Sequence, residues 1–250
     1  MKTSALGTFA ATALLAWTIP ACAGPAATPV NGASPAESAT ATATAIPTVT
    51  PAPASKAFTS AGLAAIARQV RDSADRRLTV LPEADVAAVL EQSKGMLSSL
   101  EVEPALCLEL ATSSTVPAMD GAAMAVGVST DSSTGAVTAL SLLSGLDEAA
   151  LGNVTGRPAQ LQQCANMTVT LAGVSLPVAI TILDSVGEVG NTVAYRTETQ
   201  MPDGQMQSII TAQAIQQGVV LTAVASGAES HADSVLRAGA VLDSAAALIK

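Results

Sequence analysis

Few residues in this chain have side chains suited to catalysis or metal binding. The 250 residues include one histidine, His231, and three cysteines, Cys22, Cys107 and Cys164. His231 stands between Glu229 and Asp233 at the start of a predicted helix, which is typical of a solvated helix-start residue. A metal centre needs several clustered ligands, and no serine stands in a G-x-S-x-G motif. We therefore expect no metal site, no cofactor and no catalytic residue, and predict a non-enzymatic protein.

Charge and aromatic content argue against two classes of ligand. Twenty acidic residues outnumber eleven basic ones, and the formal net charge of −9 disfavours binding to nucleic acid. Beyond Cys22 the aromatic residues are Phe58 and Tyr195, too few for the stacking platforms of sugar-binding sites. Tyr195 lies in the middle of a predicted strand, and we expect it to pack in the core or against a neighbouring strand.

Cys22 lies where no packed structure would hold it, directly after an apolar run and before a stretch rich in Ala, Pro and Thr. The basic start and the thirteen uncharged residues ALGTFAATALLAW are typical of an export signal, and the run is short for a bilayer span. Ile19–Cys22 resembles the lipobox of bacterial lipoproteins. The resemblance implies a lipoprotein signal peptide over residues 1–21, a diacylglycerol on the Cys22 thiol, and an acylated, for example palmitoylated, new amino terminus. An ordinary signal peptide cleaved nearby, leaving a free thiol, is the alternative.

Residues 22–56 use almost only Ala, Pro, Thr, Ser and Gly, and their only charges are Glu37 and Lys56. Such a segment cannot bury enough apolar area to offset its chain entropy, so we predict a disordered tether. The tether would hold residues 57–250 away from the membrane in which the lipid is anchored. The expected location is therefore extracytoplasmic and lipid-anchored at the cell membrane.

Residues 57–250 are numerous enough to build one sizeable core. They contain Cys107 and Cys164, an even number of cysteines in an exported domain. A disulfide between Cys107 and Cys164 is the default interpretation.

Helical spacing of apolar residues predicts a first helix over about Ser60–Asp75 and a second helix after Pro82. The inner face of the second helix is expected to carry Val86, Val89, Leu90, Leu97 and Leu100. The motif VEPALCLEL predicts a short third helical turn that contains Cys107.

A period of two replaces the helical period after Pro117 and predicts an antiparallel meander. One helix, ending at Cys164, interrupts the meander. The motif HADSVLRAGAVLDSAAALI predicts a last helix, with Val235, Leu236 and Leu242 among its packing residues. This order predicts an α+β fold in which N-terminal and C-terminal helices cover one face of an antiparallel sheet of five to seven strands.

The motifs VEPALCLEL, LDEAALGNV, LQQCANMTVTLAG and QQGVVLTAVASG give residues 78–250 a further resemblance. They are similar in pattern to the extracytoplasmic sensor domain of the mycobacterial Ser/Thr kinase PknH and its secreted lipoprotein relatives. The resemblance implies an actinobacterial lipoprotein of α+β fold, with helices framing a cleft and a disulfide at Cys107 and Cys164. It also implies a ligand-sensing or binding role without established catalysis, but it transfers no ligand-binding residue to this chain.

We therefore expect a membrane-anchored binding or sensor module for a small or apolar envelope ligand, or for a partner protein. Aliphatic strands that the helices cover incompletely would leave an apolar cleft, the default binding site of such a domain. Two alternatives stay open, namely a carrier of envelope lipid or glycolipid and a structural or protein-interaction lipoprotein without a pocket.

Overall fold

The structure is a computed structural model and describes residues 58–113, 121–227 and 230–250. The predictions on Cys22, on the signal peptide of residues 1–21 and on the tether of residues 22–56 lie outside the described residues. The helices are α1 (Ser60–Ala67), α2 (Glu83–Leu97), α3 (Leu108–Ser113), α4 (Glu148–Gln163) and α5 (His231–Leu248). The strands are β1 (Thr79–Val80), β2 (Glu101–Glu103), β3 (Ala123–Thr130), β4 (Val137–Ser144), β5 (Asn166–Leu171), β6 (Val174–Leu183), β7 (Val193–Gln200), β8 (Met206–Gln216) and β9 (Val219–Ser226). None of the described helices is both long and apolar enough to cross a membrane.

The strands form one nine-stranded sheet in the order β1-β3-β4-β9-β8-β7-β6-β5-β2, and every neighbouring pair is antiparallel. The predicted α+β class is confirmed, whereas the predicted five to seven strands are too few. The additional strands β1 and β2 lie at the two edges of the sheet. With two and three residues they are too short to show a period of two.

The first helix ends at Ala67 and does not reach Asp75 as predicted. Its polar continuation turns back because Asp72 Oδ1 accepts hydrogen bonds from the backbone N–H groups of Ala74 and Arg76. A short acidic side chain that binds nearby backbone in this way competes with the helix. The segment then leads into β1.

The helices α1 and α5 pack on one face of the sheet, over β3, β4, β9 and β8, which we name the α5 face. Between these helices and the sheet lies an aliphatic core, which we name the α5 core. Its largest residues, each at most 1% exposed, are Leu63, Leu140, Leu142, Ile210, Leu221 and Leu242. Leu242 thus packs as predicted. Leu236 does not, because it lies on the outward side of α5 and is 66% exposed.

A second cluster lies on the opposite face of the sheet, which we name the disulfide face. It joins Cys107, Leu161 and Cys164 from the helical segments to Met167, Val178, Ile180 and Tyr195 from the strands. Neighbouring residues of a strand point to opposite faces, and Ala194 belongs to the α5 core whereas Tyr195 belongs to this cluster. The helices therefore cover both faces, and the prediction that they cover one face is wrong.

The disulfide between Cys107 and Cys164 is present, with a Cα–Cα distance of 5.7 Å. Both cysteines are buried within the second cluster. The bond joins the start of α3 to the end of α4 and confirms the pairing predicted from the sequence.

Candidate functional site: an apolar cleft on the disulfide face

The floor of the candidate site is made by alternate residues of three neighbouring strands. The strand β5 gives Met167, Val169 and Leu171, β6 gives Leu176, Val178 and Ile180, and β7 gives Tyr195, Thr197 and Thr199. The register places these residues side by side, since Met167 lies opposite Val178 and Ile180 lies opposite Thr197. Residues directly opposite each other in a sheet share a face, so the floor is one continuous surface.

The walls of the site come from the end of α2 and from α3. The segment that follows the middle of α2 contributes Ser93, Met96, Leu97 and Leu100, and α3 contributes Leu110 and Ala111. The fifteen residues of α2 span about 22 Å. Four strand spacings, the distance from β3 to β7, are about 19 Å, so α2 is long enough to bridge the sheet from its contact with β3 to the cleft.

The helix α2 packs loosely along this path. Val86 is its buried residue, whereas Val89 and Met96 are 55% and 46% exposed. The predicted inner face of α2 is therefore only partly correct, because Val89 points to solvent. A helix that is held by so few contacts leaves space between itself and the sheet.

That space is a cleft of about 370 Å³ whose lining is almost entirely aliphatic. Its polar groups are the hydroxyls of Ser93, Thr197, Thr199 and Tyr195, and none of its lining residues is an acid, a lysine, an arginine or a histidine. Ligand sites have volumes of about 300 to 1,000 Å³ and combine an apolar lining with a few polar groups. The cleft has the size and chemistry to take a small apolar molecule or part of an amphiphile.

The same three strands carry polar residues on their other face. On β5 these are Asn166, Thr168 and Thr170, on β6 they include Thr181, and on β7 they include Arg196 and Glu198. The strict alternation in NMTVTL therefore separates an apolar floor from a solvated surface. This alternation is the sequence signal that could have located the cleft over β5, but sequence reasoning did not use it.

The predicted disulfide lies directly beside the cleft. Cys107 precedes α3, which lines the cleft, and Cys164 belongs to the cluster that contains the floor residues Met167 and Tyr195. Tyr195, predicted to pack in the core, is 3% exposed and also contributes to the floor. The sequence therefore predicted the disulfide correctly but did not identify the cleft residues that the disulfide positions.

His231 lies on the other face of the sheet and meets two charged residues of β7. Its Nδ1 is 2.7 Å from Nη1 of Arg196, and its Nε2 is 3.7 Å from Oε1 of Glu198. Arginine only donates hydrogen bonds, so Nδ1 accepts and the ring proton lies on Nε2, toward Glu198. His231 is exposed, as predicted, but it is a member of a polar cluster rather than an isolated helix-start residue. In the part of the chain that the structure describes, no three His, Cys, Asp or Glu side chains are grouped to hold a metal ion.

The most perturbed carboxyl groups also lie away from the cleft, where the segment after α1 meets β3 and the β3–β4 turn. Burial raises the pKa of Asp72, but hydrogen bonds from Ser129, Arg76 and Ala74 outweigh it, so that the pKa lies below its ordinary value. The side chain and backbone of Ser133, with Arg76, lower the pKa of Asp131 to about 2. These groups form a structural network that holds the chain after α1 against β3 and the following turn.

Comparisons with known proteins identify resemblances of fold only. No protein-family model matches the sequence. No curated protein matches it either. Among solved structures the chain is similar to the extracellular domain of PknH from Mycobacterium tuberculosis, with 14% identity and a TM-score of 0.43 over 67% of this chain and 97% of that domain. It is also similar to the Rv0999 ortholog from Mycobacterium smegmatis, with 14% identity and a TM-score of 0.39 over 60% of this chain and 76% of that protein. The PknH-like resemblance inferred from sequence motifs is thus also found at the level of structure.

Proposed function

We propose that this chain is an extracytoplasmic, lipid-anchored binding module that takes an apolar or amphiphilic envelope ligand in the cleft and catalyses no reaction. The observation that carries the proposal is the cleft itself, a space of about 370 Å³ with an aliphatic lining under a loosely packed helix. Burial of apolar area contributes about 25 cal/mol per Å², so occupation of such a surface by an acyl chain or a similar group is favourable.

The export features of the sequence support the place of action. An export signal, a lipobox-like motif at Ile19–Cys22 and a segment with few charges precede the described residues. A disulfide in the folded part is consistent with an oxidising compartment. An anchored module in that setting meets the apolar molecules of the envelope directly.

The direct test is native mass spectrometry of the protein extracted from its own cell envelope. We expect a bound molecule that is lost in Ala111→Trp, because the indole would fill the cleft beside α3. The matched control is Ala65→Trp, since Ala65 is exposed on α1 and does not line the cleft. A parent protein that carries nothing would overturn the proposal. Retention of the molecule in Ala111→Trp would mean that it binds elsewhere.

The anchor is tested separately by Cys22→Ala. This substitution removes the thiol that would take the diacylglycerol, and one acyl chain alone gives only reversible membrane binding. We expect the variant protein to leave the membrane fraction. Unchanged membrane partition would contradict lipidation at Cys22 but would leave the cleft proposal intact.

The size of the bound molecule distinguishes the remaining alternatives. A mass that corresponds to a complete lipid or glycolipid would favour a carrier. A co-purifying polypeptide seated in the cleft would favour a protein-interaction role.

A further inference from the structure

Three of the polar residues that line the cleft stand in a row along one strand. Tyr195, Thr197 and Thr199 alternate along β7 and therefore lie on the same face of the sheet. From the first to the last of them the strand rises about 14 Å. The neighbouring strands β5 and β6 contribute only Met, Val, Leu and Ile side chains to the lining. The floor of the cleft therefore has an aliphatic part over β5 and β6 and, along β7, a line of hydroxyl groups that we name the hydroxyl row.

The hydroxyl row has hydrogen-bonding capacity that the fold does not use. Among the described residues, no side-chain hydrogen bond involves the hydroxyl of Tyr195, Thr197 or Thr199. Tyr195 is 3% exposed, and a tyrosine buried to this extent ordinarily has a partner for its hydroxyl. Ser93 in the wall differs, because its hydroxyl donates to the Val89 carbonyl oxygen at 2.8 Å. The row thus offers a ligand three hydroxyls that can each donate and accept.

The lining cannot neutralise an ionised head. It contains no acid, lysine, arginine or histidine. Moving a carboxylate, phosphate or ammonium group out of water without a paired charge is costly. A hydroxyl, ester or amide group costs far less to desolvate and can exchange its hydrogen bonds with water for hydrogen bonds with the row. The chemistry of the cleft therefore favours an uncharged polar group over an ionised one.

We propose that the cleft selects uncharged amphiphiles, with the acyl or alkyl chain over β5 and β6 and a head of hydroxyl or ester groups along the hydroxyl row. The inference rests on the proposed function, since it specifies the ligand of the same cleft. Long-chain alcohols and acylglycerols belong to this class. Fatty acids and phospholipids do not, because their heads are ionised at neutral pH.

The test compares three ligands that share a ten-carbon chain and differ in the head, namely monodecanoylglycerol, decanoate and decylammonium. Affinities are measured by titration calorimetry at neutral pH, below the concentrations at which the ligands form micelles. The protein is the full chain carrying Cys22→Ala, so that no attached lipid competes. We expect monodecanoylglycerol to bind about tenfold or more tightly than either charged ligand.

Removal of the hydroxyls should abolish that preference. The double substitution Thr197→Val with Thr199→Val keeps the branched shape of both side chains, and it should weaken the binding of monodecanoylglycerol about tenfold, the effect of two neutral hydrogen bonds. Tyr195→Phe should weaken it about threefold or more. Neither variant should weaken the charged ligands. The ligand-free unfolding midpoint should not fall, because these hydroxyls have no hydrogen-bond partner in the described part of the chain. The matched control is Thr181→Val, since Thr181 is exposed on β6 and does not line the cleft.

Each contrary result has a distinct meaning. Equal affinity of the parent protein for the three ligands, or a preference that survives both the valine and the phenylalanine substitutions, overturns the inference alone. Tighter binding of decylammonium than of monodecanoylglycerol would assign selection to the net charge of −9, and it would also overturn the inference alone. Failure of all three ligands to bind the parent overturns the proposed function and the inference with it.

Discussion

The two faces of the sheet are packed by helices in opposite ways. On the α5 face, α5 lies so close that a Cβ atom at Gly239 would come within 2.8 Å of the Gly187 backbone nitrogen. On the disulfide face, Val86 is the buried residue of α2, and Met96, which lines the cleft, is 46% exposed. The close contact fills its space with aliphatic side chains, whereas the loose contact leaves a cleft. Around that cleft a disulfide holds the segments together in place of an extensive packed interface.

Removal of the disulfide should give the largest effect. The bond closes a loop with a sequence separation of 57, for which the chain-entropy model gives about 4 kcal/mol. We expect the double substitution Cys107→Ala with Cys164→Ala to lower the free energy of unfolding by about that amount in urea titrations. Hydrogen exchange should quicken first in α3 and α4 and last in α5. Equal acceleration on both faces would show that the α5 face also depends on the bond.

Truncation of one leucine on each side measures packing directly. Leu221 is fully buried in the α5 core, so Leu221→Ala should cost about 3 kcal/mol or more. Leu97 is only half-buried at the wall of the cleft, so Leu97→Ala should cost less than about 1 kcal/mol. Both values follow from denaturant titrations of the two variants against the parent. Similar costs at the two positions would remove the distinction between the faces.

Local periodicity determines how much of the fold could be predicted from the sequence. Five of the described helical segments and seven strands follow from local periodicity, and the Cys107–Cys164 pair follows from cysteine parity and motif resemblance. The edge strands β1 and β2 could not be found in this way, because two or three residues have no measurable period. The turn that follows α1 is held by the Asp72 side chain, and a composition of Asp, Ser and Arg is equally compatible with a polar helix face.

The sequence predicted an apolar space between helices and sheet, but it did not predict which strands and helices line that space. Its position depends on which strand residues lie side by side, and that register is set by tertiary pairing. The burial of Arg157 was not predicted either. Its signal was available, because a charged residue at position 157 interrupts the apolar stripe that contains Leu161 and Cys164. That its Nε and Nη1 atoms are buried without a hydrogen-bond partner within the described part of the chain becomes visible only in three dimensions.

A pair of glycine substitutions should give smaller effects of opposite sign. Alanine is favoured over glycine in a helix by about 1 kcal/mol, so Gly95→Ala in the loose helix α2 should stabilise by up to that amount. Gly239→Ala in α5 should destabilise instead, because its Cβ would collide with the backbone of Gly187. Thermal unfolding of both variants measures the two signs. Stabilisation by Gly239→Ala would show that α5 can shift away from the loop and that its contact is not tight.

Acid should weaken the tightly packed side first, and this is the smallest effect expected. The Asp72 and Asp131 carboxylates both bind Arg76, at 2.8 Å and 3.0 Å, and Asp72 also accepts the Ser129 hydroxyl proton at 2.6 Å. Burial raises the pKa of Asp72, but these hydrogen bonds lower it by more, so the pKa lies below its ordinary value. The Ser133 hydroxyl and backbone, with Arg76, lower the pKa of Asp131 to about 2.

A carboxyl group whose pKa is lower in the folded state contributes stability that is fully present above its unfolded pKa of about 4 and is lost as the pH falls toward the folded value. We therefore expect the free energy of unfolding to decline between about pH 4 and pH 2, and Asp131→Asn to flatten that decline. Urea titrations from pH 5 to pH 2 measure the slope, and Asp85→Asn, which changes an exposed acid of α2 that is not an ion-pair partner of Arg76, is the matched control. An unchanged slope in Asp131→Asn would place the acid-sensitive groups elsewhere.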